Sequence, residues 1–132
     1  MPMKRPAKTR PLLTPMLEAA ASKVEVQAVE GMMRAQAACP PDMDWYAYNR
    51  ALSSGLGLQD LFEDAFPYSL GVPEDPREDD YRKAGEQALN LIHSGMGPAK
   101  AVPEAVHHVT GAAAGALPVL LLALGAGLYF LG

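Results

Sequence analysis

Three histidines, one cysteine, a run of carboxylates and a pair of serines are the groups in this 132-residue chain whose types could carry chemistry. A metal site needs several His, Cys, Asp or Glu side chains converging on one ion from rigid elements. His107 and His108 are adjacent, and neighbouring side chains on a helix diverge by about 100°, so the pair does not reach a common ion. His93 stands apart from both. The single Cys39 excludes an internal disulfide or a cysteine cluster within one chain and reads as a small buried apolar residue. Glu74, Asp75, Glu78, Asp79 and Asp80 lack the alternating oxygen spacing and central glycine of a calcium loop, and suit the positive end of a helix instead. Gly55-Leu56-Gly57 follows no strand and completes no phosphate fingerprint; Ser53 and Ser54 have no nucleophile context. These residues predict a chain with no catalytic group, metal, cofactor or small-molecule substrate, and hence no enzyme.

What would position such groups is a series of short helices. Thr14 and Pro15 read as an N-cap and first helical position, opening one helix that runs to Ala38 and carries apolar residues on two faces. Pro40 and Pro41 end it. Asp42 or Asp44 caps a second helix that contains Trp45, Tyr46, Tyr48, Arg50 and Leu52 and closes at Ser53, Ser54 and Gly55. Leu58 to Phe66 gives a third, stopped by Pro67. Asp75 and Pro76 start a fourth, whose stripe Tyr81, Ala84, Ala88, Leu91 and Ile92 is the cleanest amphipathic pattern in the chain; Gly95 and Gly97 stop it. Pro98 and Pro103 lead into a final helix. Trp45, Tyr46 and Tyr48 are three of nine aromatics, and rings with polar tips either anchor a partner or form a small private core.

The dominant segment is the last one. From Ala105 to Gly132 there is no Asp, Glu, Lys or Arg, and the apolar run from Gly111 supplies the roughly 20 residues that a bilayer core about 30 Å thick requires. Eleven of those 22 residues are Gly or Ala and seven are Leu. On a helical wheel Leu117, Leu120, Leu121, Leu124, Leu128 and Leu131 share one side. Gly111, Ala112, Gly115, Ala116, Ala123 and Gly127 share the other, with the small-xxx-small spacing that lets membrane helices approach closely. Pro118 predicts a kink, and Tyr129 and Phe130 suit an interfacial belt.

Charge divides the chain as well. Lys4, Arg5, Lys8 and Arg10 form an acid-free head, whereas everything after residue 17 holds seven basic and all fifteen acidic groups. An acidic body argues against nucleic acid, whose phosphates bind clustered Lys and Arg. The head suits organelle import, anionic lipid or an acidic partner, although Pro2, Pro6 and Pro11 oppose an amphipathic helix there.

The sequence therefore predicts an all-α protein in three parts. Residues 1–13 form an extended basic arm, 14–100 an extramembrane region of short helices that make no large core alone, and 101–132 a single transmembrane helix with its interfacial lead-in. The expected role is a non-catalytic accessory subunit of a multi-subunit membrane complex. Its partners are other subunits and membrane lipid, and the small-residue face and Trp45, Tyr46 and Tyr48 provide the contacts. A respiratory-type complex of the mitochondrial inner membrane is the expected host, with a thylakoid or bacterial energy-converting membrane as the alternative. A tail-anchored receptor or adaptor, whose acidic body binds basic ligands, is the competing expectation.

Overall fold

The structure is a computed structural model that describes residues 12–115, with side chains through Val109. The basic arm, apart from Leu12 and Leu13, lies outside the described residues. So do Ala116, Ala123 and Gly127 of the expected helix-packing face, while Gly111, Ala112 and Gly115 are described in backbone only. Among the described residues every regular element is helical, as the all-α expectation requires. The α-helices are α1 (Thr14–Ala19), α2 (Lys23–Arg34), α3 (Trp45–Leu56), α4 (Gln59–Ala65), α5 (Glu78–His93) and α6 (Pro98–Gly115). Short 3-10 turns occupy Gln36–Ala38 and Pro67–Gly71. No helix among the described residues is long and apolar enough to cross a membrane.

The single long helix expected from residue 14 to 38 is two helices, and the break has a local cause. Ser22 Oγ accepts from Glu25 N at 3.1 Å, while Glu25 Oε1 accepts from Ala21 N at 2.7 Å. The Ser22 cap, with Glu25 reaching back to the N–H just before it in a displaced version of the capping box, starts a new helix where apolar periodicity alone continues the old one. α1 itself begins one residue earlier than expected, with Leu13 in the capping position and Thr14 already helical.

Asp44 caps α3 by accepting from Tyr46 N at 2.9 Å. The far end of α3 lies beyond the expected stop: Gly57, at φ 77°, takes the left-handed position, and Leu58 N donates back to Ser53 O at 2.8 Å. The turn just before α5 is closed by a reciprocal pair, in which Asp75 Oδ1 accepts from Arg77 N at 2.8 Å and Glu78 Oε2 accepts from Asp75 N at 2.7 Å; Arg77, in the capping position, makes no side-chain cap. At its other end Gly95, at φ 107°, reverses the chain, and the four residues that follow α5 fold α6 back along it as an antiparallel hairpin.

α3, α5, α6 and α2 pack in that spatial order, and α1 and α4 close the side against α2 and α3. The core they enclose includes Leu13, Met16, Val29, Met32, Tyr48, Leu52, Phe62, Val102 and Val106, all essentially inaccessible. The described residues thus close a core of their own, which the expectation of partner-dependent short helices did not anticipate. Ala101, Val102, Ala105 and Val106, placed by sequence in the interfacial lead-in, are buried in this core. Pro103 sits inside α6 without ending it. Proline has no N–H for the carbonyl four residues back, and Arg34 Nη1 donates to that carbonyl, Ala99 O, in a long contact of 3.5 Å.

Candidate functional site

Among the described residues, an open groove of about 400 Å³ lies where α3, the start of α4 and the start of α5 meet. Arg50, Ser54 and Gln59 line one side, and Glu74, Asp75, Glu78, Asp79 and Arg82 the other.

Arg50 organises it. Its Nε donates to Glu78 Oε1 at 2.8 Å and its Nη2 to Glu78 Oε2 at 2.9 Å, a two-pronged ion pair. Nη1 donates to Ser69 O at 2.8 Å and Val72 O at 3.0 Å, and Nη2 also to Pro73 O at 3.3 Å. A guanidinium has five N–H groups in a fixed fork, and here all five are used. The contact with Glu78 holds the Arg50 proton more firmly than usual, against the opposing effect of burial.

Arg77 ties a second joint. It donates to Asp75 Oδ2 at 2.8 Å and Asp42 Oδ1 at 2.9 Å, joining the loop before α3 to the start of α5. Both carboxyls are held below their ordinary value, chiefly by the hydrogen bond from Arg77. Asp79 is lowered too, first by Lys83 and then by Arg82. Groups whose folded pKa lies below the ordinary 3.8 bind protons more readily when unfolded, so their contribution is complete above about pH 5 and is lost as pH falls further. Urea midpoints should therefore drop between pH 5 and pH 3, and Asp75→Asn should flatten that dependence. An unchanged profile in the variant would show that the Asp75–Arg77 pair contributes nothing measurable.

The sequence-predicted residues fall elsewhere. Trp45, Tyr46 and Tyr48 are buried within the chain's own core, 6%, 4% and 0% exposed. Other residues of the chain enclose their rings. Trp45 stands edge-on to Tyr46 and Phe66 at 5.0 and 5.6 Å, and Tyr46 edge-on to Tyr68 at 5.0 Å. Tyr48 packs on Tyr81 at 4.8 Å and donates its hydroxyl to Ala35 O at 2.5 Å. Tyr48→Phe keeps the ring and removes that bond while Ala35 O keeps Ala38 N at 3.1 Å; a loss of about 1 kcal/mol in urea unfolding is expected.

Cys39 is buried. Ser53 is fully buried, its hydroxyl 3.9 Å from Met32 Sδ, and Ser54 borders the groove. His93, His107 and His108 are exposed, and among the described residues no group of three or more metal-binding side chains is assembled. Arg50 is the residue sequence reasoning missed: nothing in its neighbourhood along the chain reveals carbonyls arriving from 19 to 23 positions away.

Neither a scan against protein-family models nor searches of curated proteins and solved structures find a match to this chain.

Proposed function

We propose that this protein is a non-catalytic accessory subunit of a multi-subunit membrane assembly, attached through the apolar residues 111–132. One observation carries this reading. α6 is a single helix that begins as a core element, with Ala101, Val102, Ala105 and Val106 buried, and runs on to Gly115 inside the uncharged stretch. A bundle joined in this way to a span has a fixed height and orientation above the bilayer, which suits a subunit placed among neighbours better than a receptor on a loose tether. Gly111, Ala112, Gly115, Ala116, Ala123 and Gly127 are the positions we assign to close contact with a neighbouring membrane helix. The acid-free head with Lys4, Arg5, Lys8 and Arg10 favours organelle delivery, and we take the mitochondrial inner membrane as the host.

A membrane-anchored receptor or adaptor is the second reading, favoured by a core that closes within the chain and therefore needs no neighbour to fold. Tagged full-length chain released in mild detergent separates the two on a native gel. Co-migration with a stoichiometric set of membrane proteins, lost when Gly111 and Gly115 are both changed to Leu, supports the subunit. Migration alone as a folded monomer defeats it.

A further inference from the structure

The α5–α6 hairpin sets the height of the bundle over a bilayer. From Glu78 to His93, α5 rises fifteen steps, about 22 Å, and the turn at 94–97 sends α6 back along it. Fifteen steps along α6 from Pro98 end at Ala113. The first turn of α5 therefore stands about level with Ala113, two residues inside the apolar run that opens at Gly111.

Segment 67–73 is fastened at the same height. Arg50 donates to the Glu78 carboxylate at 2.8 and 2.9 Å and to the carbonyls of Ser69, Val72 and Pro73 at 2.8, 3.0 and 3.3 Å. One guanidinium thus spans the gap between the segment and the first turn of α5, so the two cannot lie at opposite ends of a 22 Å helix. Arg77, just before α5, reaches Asp42 at 2.9 Å and brings the loop ahead of α3 to this end too.

Leu70, in the middle of the segment, is 65% exposed, and Tyr68 is half-buried beside it. A single exposed leucine is ordinary on a protein surface; the position of this one is not, because it stands near the level at which α6 enters its apolar run. The polar layer on each side of a bilayer core is roughly 5–8 Å thick. Such a layer accepts an apolar side chain and a tyrosine, and it is wet enough to keep Asp42, Glu74 and Asp75 hydrated at the same end. We propose that segment 67–73 rests on the headgroup layer of the membrane, with Leu70 in contact with lipid. This rests on the membrane attachment proposed above, and deepens it by naming the surface on which the bundle sits.

The test uses full-length chain in phosphatidylcholine vesicles, with a fluorophore on single cysteines. Leu70→Cys and Gly71→Cys mark the segment, and Gly97→Cys marks the far end of the hairpin; a Cβ at Gly71 or Gly97 meets nothing within 4 Å, so both positions accommodate the change. The parent chain, whose Cys39 is buried, is the labelling blank. Position 97 lies about 24 Å along α6 from the level of Ala113, so a nitroxide on the lipid headgroup should dim the labels at 70 and 71 by about twofold or more and leave the label at 97 nearly unchanged. If the chain floats with the vesicles but either 70 or 71 is quenched no more than 97, the segment faces water or a neighbouring protein; the surface is then wrong and the attachment stands. Equal, strong quenching at all three positions means that the bundle lies on its side, which also overturns the surface. Failure to float removes both the attachment and this surface.

Discussion

Gly55→Ala should destabilise the protein by about 2 kcal/mol or more, although alanine is the better helix former by about 1 kcal/mol. A Cβ on Gly55 would stand 2.0 Å from Arg82 O, 2.7 Å from Glu86 N and 2.8 Å from the Cα of Gly85. All three are backbone atoms of α5, so no rotamer change relieves the clash and the two helices must part by on the order of 1 Å. Overpacking of this kind costs about 1–3 kcal/mol and sometimes more, and here it also loosens Tyr48 against Tyr81 on the same helix pair. Gly55→Val should leave little folded protein. Gly85→Ala meets Leu52 O at 2.5 Å and Gly55 Cα at 2.9 Å, so it should destabilise through the same separation. Because one separation serves both changes, the double variant should lose clearly less than the sum. Gly71→Ala, with nothing within 4 Å of its new methyl, should stay within about 0.5 kcal/mol of the parent. Urea unfolding of the three single alanine variants and the double variant decides the matter. Equal stability of Gly55→Ala and Gly71→Ala would mean that α3 and α5 do not cross in backbone contact.

That crossing shows where the sequence was legible and where it was not. Glycine spacing drew attention to Gly111 and Gly115, whose surroundings lie outside the described side chains; the close approaches that are described are at Gly31, Gly55 and Gly85. A lone glycine within a helix gives no signal of the partner that needs it to be small. Helix starts that depend on adjacent residues were readable: Asp44 before α3, and the Asp75–Glu78 pair before α5. The α5 stripe was readable as well, with Tyr81, Ala84 and Ala88 buried and Leu91 and Ile92 half-buried. Ser22 and Glu25 carry the same kind of signal for α2, hidden there by uninterrupted apolar periodicity on both sides. The aromatics were undecidable because their surroundings come from a distance. Trp45 and Tyr46 are enclosed by Phe66 and Tyr68, some twenty residues along the chain, and only the fold brings them together. The groove has the same origin, since α3, α4 and the start of α5 all contribute to its lining.

Arg50 should prove irreplaceable even by lysine. Arg50→Ala leaves Glu78 with its partner gone at 17% side-chain exposure, removes the guanidinium donor from the carbonyls of Val72 and Pro73, and leaves Ser69 O with Val72 N alone. Removing one member of a largely buried pair costs about 3–5 kcal/mol, and partial access of water to this one places the expectation near the lower figure. Lysine keeps the charge but offers three donors from one point, and cannot span a carboxylate and three carbonyls at once; a loss of about 2 kcal/mol is expected. Glu78→Gln differs in kind. It removes the ion pair while the three carbonyl bonds from Arg50 remain, so global stability should fall and the 66–73 segment should stay closed. Amide hydrogen exchange separates these effects. Val72 N donates to Ser69 O and Ser69 N to Phe66 O, so both amides report on that segment. In Arg50→Lys their protection should drop by more than the global loss, while core amides of α6 such as Val106 should slow or quicken only with global stability. In Glu78→Gln the two sets should move together. If Arg50→Lys left Ser69 and Val72 as protected as the parent does, the five-donor clamp would not be what holds that segment to α3.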